Sequence, residues 1–198
     1  RTDPLKSDSL AKPMFWAIYV QDELAITEAL KLSFGLRYDE ARFDNEDRLD
    51  AEDSDSVNMN AFSPKFGLSY QLFSHTTVFA NVAKGFAPPT VSKLYGTSGN
   101  PDLDPESALN YEVSLRTAPV DWFDLTTAVY LMDVTDEIIT VQVDGESKNV
   151  NSGETRHKGI EAELNLHLPL GFSPFVNLTF QNVEFTDYKV YNSRSDTT

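Results

Sequence analysis

The chain has 198 residues, of which 40% are apolar and 24% are charged, and this composition argues against a disordered polypeptide. Its formal net charge of -15 argues against a nucleic-acid partner, because binding phosphates needs a basic surface. The absence of cysteine excludes disulfides and thiolate metal sites. No apolar run approaches the ~18 residues of a membrane helix, but membrane strands that alternate apolar and polar residues would escape this test.

Alternation of apolar and polar residues recurs along the chain and predicts an all-β fold. Residues 30–39 read Leu-Lys-Leu-Ser-Phe-Gly-Leu-Arg-Tyr-Asp, in which every even position is apolar or aromatic. The pattern returns in residues 62–72, 109–116 and 160–168, and no segment has a convincing helical period. We predict an antiparallel up-and-down meander of about eight strands, at residues 14–26, 30–44, 60–72, 76–87, 108–118, 122–142, 148–168 and 173–187.

The connections between these strands differ at the two ends of the predicted sheet. The tight ones are residues 27–29, 73–75, 119–121 and 169–171, and the others are residues 45–59, residues 88–107 and a hairpin around Asp144-Gly145-Glu146. Because alternate connections of a meander lie at the same end, both long loops lie opposite the tight turns. Outer-membrane barrels have this asymmetry, with short periplasmic turns and long external loops.

The predicted strands are long, and two of them are expected to project beyond a membrane. Globular strands usually have ~5–6 residues, whereas crossing a bilayer obliquely takes ~9–11. Aromatic residues lie near both ends of the strands, as in the two aromatic belts of a membrane barrel. The predicted belts are Phe73, Trp122, Phe123 and Phe172 by the tight turns, and Phe43, Phe62 and Phe86 towards the long loops.

Alternation alone leaves open which face of the sheet is buried. In a soluble sandwich the apolar faces would meet in a core, whereas in a barrel they would meet lipid and the polar faces would line a wet lumen. Strand length and the sorting of loops favour the barrel. The predicted lumen-lining residues are then Arg37, Lys65, Glu112, Arg116, Glu161 and Glu163.

Four stretches then point to one family. They are Phe62-Ser63-Pro64-Lys65-Phe66-Gly67-Leu68, residues 79–89 with Gly85-Phe86 and Pro88-Pro89, residues 100–116, and Asn151 to Glu161 with Gly153 and Gly159. On these motifs, in this order, the chain resembles the barrel domain of TonB-dependent outer-membrane receptors, the ferric-siderophore type most closely. The chain departs from the family pattern at Ser114, where a glycine is usual.

The resemblance implies a section from the later part of a transmembrane β-barrel of roughly 22 strands, a size that holds a plugged lumen. Residues 1–198 would form a partial barrel domain, without the plug domain and the final strands. The implied function is active uptake of a scarce ligand, most often a ferric siderophore, powered by the TonB complex through the missing plug domain. The implied location is the outer membrane of a Gram-negative bacterium, in contact with outer-membrane lipid.

Two other interpretations remain open on the sequence. One is a different outer-membrane barrel, such as a porin or an adhesin-like protein, and the other is a soluble β-sandwich that binds carbohydrate. In none of the three interpretations do we expect an enzyme, because the chain has no nucleophile elbow, phosphate loop or plausible paired carboxylates. We also expect no cofactor and no metal site, since His75, His157 and His167 are scattered.

The candidate ligand-facing residues lie in the loop 88–107 and are Tyr95, Ser98 and Asn100. External loops carry binding in this family, and the alternative is a loop that only packs over the barrel mouth. The acidic segment 44–55 could attract calcium, but it lacks the glycine and glutamate spacing of an EF-hand, which favours a solvated loop. The charged lumen residues are expected to form ion pairs across neighbouring strands or to the plug.

Overall fold

The computed structural model describes residues 8–49, 54–143 and 145–188. Over this part of the chain it is an eight-stranded sheet in which each strand pairs antiparallel with the next, in the order β1 to β8. The predicted meander is therefore confirmed. The strands are β1 Ser9–Ala25, β2 Leu30–Asp47, β3 Asp55–Phe73, β4 Thr76–Ala87, β5 Glu106–Val120, β6 Phe123–Val143, β7 Glu146–Leu166 and β8 Phe175–Tyr188.

A one-turn helix, α1 (Val91–Tyr95), lies between β4 and β5 and was not predicted, because five residues carry no readable helical period. The hydroxyl of Thr90 caps it by accepting from the amide of Lys93. A 3-10 turn, Pro169–Gly171, joins β7 to β8. None of the helices in the described ranges is long and apolar enough to cross a membrane.

The hairpin of β2 and β3 is taller than expected. The segment 45–59 was predicted to be a long loop, but β2 continues to Asp47 and β3 begins at Asp55, with Asn45 paired to Asp55. The prediction of a loop was wrong because acidic residues hide an alternation that continues on one face only, through Val57 and Met59. The pair β6 and β7, with 21 residues each, is as long as expected.

The two faces of the sheet differ sharply in polarity. The strand register joins Phe34, Phe66, Val82, Tyr111 and Leu131 in one row of the face that we call outer. The adjacent row of the opposite face, which we call inner, contains the smaller or polar residues Ser33, Gly67, Asn81 and Glu112, followed by Tyr130. The outer apolar side chains stay exposed within this chain, up to 76% for Phe180. A soluble sandwich would not leave such a surface uncovered.

The outer face turns polar along a line that slants across the sheet. Toward the long-loop end, the first polar outer residues are Lys12 on β1, Glu40 on β2, Asn60 on β3, Lys84 on β4, Asp133 on β6, Lys158 on β7 and Asn182 on β8. The slant can be measured on β2. Lys12 of β1 lies opposite Asp44 of β2, whereas Lys158 of β7 lies in the row that reaches β2 at Phe34, ten residues nearer the tight turns. A flat membrane slab produces such a slant when it crosses tilted barrel strands.

Aromatic side chains lie at this boundary on the outer face. Trp16 and Tyr38 lie there with ring centroids 5.5 Å apart, and Phe62 and Tyr111 occupy equivalent positions on β3 and β5. Phe43, which was assigned to the same belt, instead faces inward and is only 2% exposed. Its position is odd in β2, and the strand alternation places odd positions of β2 on the inner face.

Candidate functional site

The long-loop end of the sheet contains two tall hairpins with a lower one between them. β3 pairs with β4 only as far as Lys65 opposite Ala83, and above that point β3 pairs with β2 alone. Residues 88–105, which we call the strap, connect the lower strands β4 and β5. The strap contacts both tall hairpins and so lies across the inner face at the mouth of the sheet.

Two leucines hold the strap through apolar contacts. Leu94 is 1% exposed and Leu103 is 3% exposed, which makes them two of the most buried side chains in the described ranges. They form one cluster with residues of both tall hairpins, namely Ala41, Phe43, Met59 and Ile138. The main buried core therefore lies at the mouth, on the inner face.

Hydrogen bonds between asparagine side chains and backbone groups also hold the strap against β7. Asn100 Nδ2 donates to the carbonyl of Asn149 at 2.9 Å, and Asn149 Nδ2 donates to the carbonyl of Lys93 at 3.1 Å. Asn151 Oδ1 accepts from the amide of Asp104 at 2.8 Å, and its Nδ2 donates to the Asp104 carbonyl at 2.9 Å. An amide side chain suits this role because it carries both a donor and an acceptor, like the backbone.

Two of the four family-like motifs contact each other through these bonds. The segment 100–106 lies against Asn151, which also donates to the carbonyl of Asp136 at 2.7 Å. Asp136 has a left-handed backbone (φ 59°) next to an irregularity in the β6–β7 ladder. Glu106 accepts from the amide of Ile138 at 2.9 Å and from Lys93 Nζ at 3.4 Å. The motif residues thus build the mouth.

All three predicted ligand-facing residues belong to the strap and contact its supports. Tyr95 is half-buried, and its hydroxyl donates to the carbonyl of Phe43 at 3.1 Å. Ser98 is partly exposed, and its carbonyl accepts from the amide of Asn149 at 2.9 Å. Asn100 is 8% exposed.

The phenol of Tyr95 provides a pH-dependent contact. Burial, with help from the carboxylates of Asp55 and Asp44, raises the pKa of Tyr95 above its ordinary value of 10.0. Because the folded pKa is the higher one, the neutral phenol stabilises the strap below pH 10 and this contribution is lost as the pH rises through the raised value. In a pH titration of phenolate absorption, the difference between the wild type and Tyr95→Phe reports Tyr95 alone. We expect this difference to appear only above the ordinary tyrosine pKa. A difference that titrates at or below that value would contradict the packing.

Below the strap, the inner face carries a depression of about 680 Å³, and Arg37 and Lys65 belong to its lining. Arg37 forms a fork with Asp39, in which Nη2 lies 2.7 Å from Oδ1. Lys65 Nζ donates to Gln21 Oε1 at 2.6 Å, which lies two strands away. Gly35 permits this crossing of β2, because a Cβ there would lie 2.5 Å from Cε of Lys65. The structure brings Arg37 and Lys65 into the lining of the same depression.

The other four predicted lumen residues lie elsewhere on the inner face. Glu112 accepts from Asn81 Nδ2 at 3.2 Å, and Arg116 Nη2 lies 3.2 Å from Asp124 Oδ2 on the next strand. Glu163 accepts from Asn165, and Glu161 lies between Ala128 and Thr179 in the register. The six residues do not pair with one another in the described ranges. Their partners Asp39 and Asp124 were missed, since alternation identifies a face but not a contact.

The described residues contain no group of three or more histidine, cysteine, aspartate or glutamate side chains that could hold a metal ion. The acidic segment, of which residues 50–53 lie outside the described ranges, carries ion pairs at its base. Lys12 lies 2.8 Å from Glu46, and this contact lowers the pKa of that carboxyl. Arg42 lies 2.9 Å from Asp44.

Comparison with known proteins identifies the fold. The family model described as TonB dependent receptor-like, beta-barrel matches residues 3–198. The chain belongs to this family. The soluble-sandwich interpretation is therefore discarded, and the exposed outer face is the surface that a barrel of this family turns away from its lumen.

Curated relatives are longer than this chain. It is 26% identical over 179 residues to the ferrichrome outer membrane transporter/phage receptor of Escherichia coli (strain K12), covering 90% of the chain and 23% of that protein. It is 38% identical over 107 residues to the vitamin B12 transporter BtuB of Photobacterium profundum, covering 52% of the chain and 17% of the relative. The chain thus spans about a quarter or less of the length of these receptors.

Solved structures agree on the fold. The ferric-catecholate import receptor Fiu from E. coli K12 superimposes with a TM-score of 0.75 at 22% identity, over 91% of this chain and 29% of that one. The ferric citrate transporter FecA gives a TM-score of 0.73 at 18% identity, over 94% and 28%. The eight strands therefore have the fold of a section of these barrels.

Proposed function

We propose that this chain is a section of the barrel of an outer-membrane receptor that takes up a ferric siderophore by TonB-dependent transport. The observation that carries the proposal is the family match across residues 3–198. The outer face supports it, because an exposed apolar surface bounded by a slanting polar line suits a wall that meets lipid. In this arrangement the long-loop end faces the outside of a Gram-negative cell.

The chain supplies part of the external ligand site and of the barrel wall, and it does not supply the element through which the TonB complex drives transport. The strap, bound to both tall hairpins, forms part of the external ligand site, with the partly exposed Tyr95 and Ser98 as its contact residues. Asn100 serves the site by holding the strap on β7. The cationic inner wall at Arg37 and Lys65 faces the plug domain, through which the TonB complex acts, and outer-membrane lipid covers the other face.

Iron compounds are the favoured ligands. A relative that matches 90% of this chain is named as a ferrichrome transporter, and similar structures include a ferric-catecholate receptor and a ferric citrate transporter. Cobalamin is the second candidate, because the higher local identity, 38%, is to a vitamin B12 transporter. Wall residues alone do not separate the two, since specificity resides in loops and plug.

Uptake by cells that carry or lack the full-length gene tests the proposal. We expect cells with the gene to accumulate radiolabelled iron supplied as ferrichrome or a ferric catecholate, and to stop when a protonophore dissipates the proton gradient. Labelled cobalamin serves as the alternative substrate under the same conditions. Entry that ignores the protonophore would indicate a passive porin, and no gene-dependent entry of any of these ligands would contradict the proposal.

A further inference from the structure

The two tall hairpins at the mouth are attached to the sheet in different ways. β2 pairs with β1 as far as Asp47 opposite Ser9, and neither this ladder nor the β2–β3 ladder contains an irregularity. The upper part of the β2–β3 hairpin, residues 41–47 and 55–59, is called the post here. A third strand, β1, supports the post over its whole height.

The β6–β7 hairpin has no such support in its upper part. β5 pairs with β6 only as far as Thr135, and β8 pairs with β7 only as far as Gly153. Residues 138–143 and 145–151, which we call the arm, therefore lie beyond both neighbouring strands in the part of the chain that the structure describes. The arm is a two-stranded extension of the sheet.

The ladder between β6 and β7 is interrupted where the arm begins. Two register shifts lie between Val134 and Ile138. Asp136, between them, has a left-handed backbone (φ 59°), which is uncommon for a residue other than glycine. Extra residues in a ladder break its pairing and let the strand bend. The arm therefore joins the sheet through a hinge, and the post does not.

The strap is bound to the arm by directional contacts. Six hydrogen bonds join them, and on the arm these involve Ile138, Asn149 and Asn151. One of them, from Lys93 Nζ to the carbonyl of Ile138, is 3.5 Å long, and the other five are 2.8–3.1 Å long. Because hydrogen bonds depend on angle as well as distance, this set fixes the strap relative to the arm.

The contact between the strap and the post, which we call the seam, is mainly apolar. Leu94 belongs to one cluster with Phe43 and Met59 of the post. In the described ranges, the polar contacts of the seam come from one phenol, since the Tyr95 hydroxyl donates to the carbonyl of Phe43 and lies near the backbone of Val57. Apolar contact is non-directional, so the seam fixes the strap less firmly than the arm does.

We propose that the strap and the arm move as one body about the hinge at Asp136, and that the mouth opens along the seam while the post stays in place. The strap begins at Pro88, which belongs to the lining of the inner depression, so opening of the seam widens the access to this depression. The motion needs no ligand and goes beyond the proposed function. Hinges of this kind use a few residues at the end of an element.

Distances between nitroxide labels test which hairpin the strap follows. This chain contains no cysteine, so labels are attached to cysteines engineered at Thr97 of the strap, Lys148 of the arm and Asn58 of the post, all of which are exposed. The full-length receptor, with any cysteine outside this chain replaced by serine, is labelled in pairs and measured by double electron–electron resonance. Phe43→Ala weakens the seam from the side of the post and leaves the six bonds of the arm intact.

We expect Phe43→Ala to lengthen and broaden both distances to Asn58 and to leave the distance between Thr97 and Lys148 unchanged. Phe43→Leu, which keeps more of the packing, should shift the same two distances less. Phe62→Ala truncates an exposed ring on the outer face of β3 and should change none of them. Separation of Thr97 from Lys148, with Thr97 held at its distance from Asn58, would overturn the proposal, and so would three unchanged distances.

A label just below the register shifts locates the hinge. Thr135 is exposed and still pairs with β5. In Phe43→Ala, the distance from Thr135 to Asn58 should stay as in the wild type, while the distance from Lys148 to Asn58 increases. Equal increases of the two distances would place the bend elsewhere and overturn the hinge.

A variant on the opposite side of the strap should give the converse pattern. Asn149→Ala removes the side-chain bond to the carbonyl of Lys93 and the bond from Thr140. We expect it to broaden the distance between Thr97 and Lys148 without shifting Thr97 away from Asn58. The same pattern from Asn149→Ala and Phe43→Ala would mean that the strap has no preferred partner, which contradicts the proposal.

Radiolabelled iron uptake by the unlabelled variants separates this motion from the proposed function. Distances that follow the expected pattern, in a receptor that imports no iron, support the hinged arm and count against the transport function. Distances that contradict the pattern, in cells that still import iron, overturn the hinged arm and leave the transport function standing.

Discussion

Gly159→Val is expected to lower the stability of the folded barrel strongly. Gly159 lies opposite Tyr130 on the inner face, and a Cβ there would lie 2.6 Å from Cζ and the hydroxyl oxygen of that ring. It would also lie 2.7 Å from the carbonyl oxygen of Phe180, which belongs to the backbone of β8. Overpacking of this kind costs ~1–3 kcal/mol even where side chains can move, and the clash with the backbone cannot be relieved by a rotamer.

A matched glycine on the same inner face supplies the control. A Cβ at Gly85 meets no atom within 4 Å, so Gly85→Val should leave stability nearly unchanged. The measurement is urea unfolding of the full-length receptor in detergent, followed by the shift in electrophoretic mobility on unfolding. Adding Tyr130→Ala to Gly159→Val should recover part of the lost stability, because the ring clash is removed while the carbonyl clash remains. Equal stability of the two valine variants would contradict the packing of Tyr130 over Gly159.

Leu94→Ala is expected to release the strap while leaving the barrel folded. Leu94 is 1% exposed and packs between the two tall hairpins, in the cluster of Phe43, Met59 and Ile138. Truncating a buried leucine costs ~2–5 kcal/mol. Because Leu94 contacts the hairpins through the strap, this loss should lower the free energy of local opening of the strap. The opened population should rise by a factor of at least about 30.

Limited proteolysis of the full-length receptor measures that opening. Cleavage within residues 88–105 should accelerate by about the same factor of 30 in Leu94→Ala, provided that opening is fast relative to cleavage. Leu170→Ala, at a leucine that is fully exposed in a tight turn, should behave as the wild type does. Binding of the proposed ferric siderophore should weaken in Leu94→Ala but not in Leu170→Ala. A strap that is cleaved at the wild-type rate would contradict its anchoring by the leucine cluster.

Alternation predicted the strands and their faces because successive side chains of a strand point to opposite faces, so a two-residue period in polarity identifies both. Leu36 and Arg37 were assigned to opposite faces on this basis, and the register agrees. The same reasoning failed at Asn45 to Met59, where acidic and other polar residues obscured the apolar inner positions Val57 and Met59. It also failed for Phe43, which was grouped with surface aromatics although its odd position predicts the inner face.

The strap could not be predicted, because its anchors are distant in the sequence and involve the backbone. Asn149 and Asn151 read as polar strand residues, and nothing in their spacing indicates contacts with Lys93 and Asp104. The family-like segments 100–106 and 151–153 are both rich in residues that can bond to the backbone, but this does not indicate which backbone groups they contact. Their meeting at the mouth gives a physical reason for the motif residues.

The central claim is that the apolar face of this sheet lies outside, against lipid. Nitroxide labels at Leu36, Leu68, Arg37 and Lys65 of the full-length receptor in membranes test it most directly, one label at a time. At Leu36 and Leu68 we expect collisions with oxygen to dominate, as in hydrocarbon. At Arg37 and Lys65 we expect the label to collide more often with a water-soluble nickel complex than with oxygen. High oxygen access at Arg37 and Lys65, with Leu36 and Leu68 shielded, would contradict both the register and the barrel.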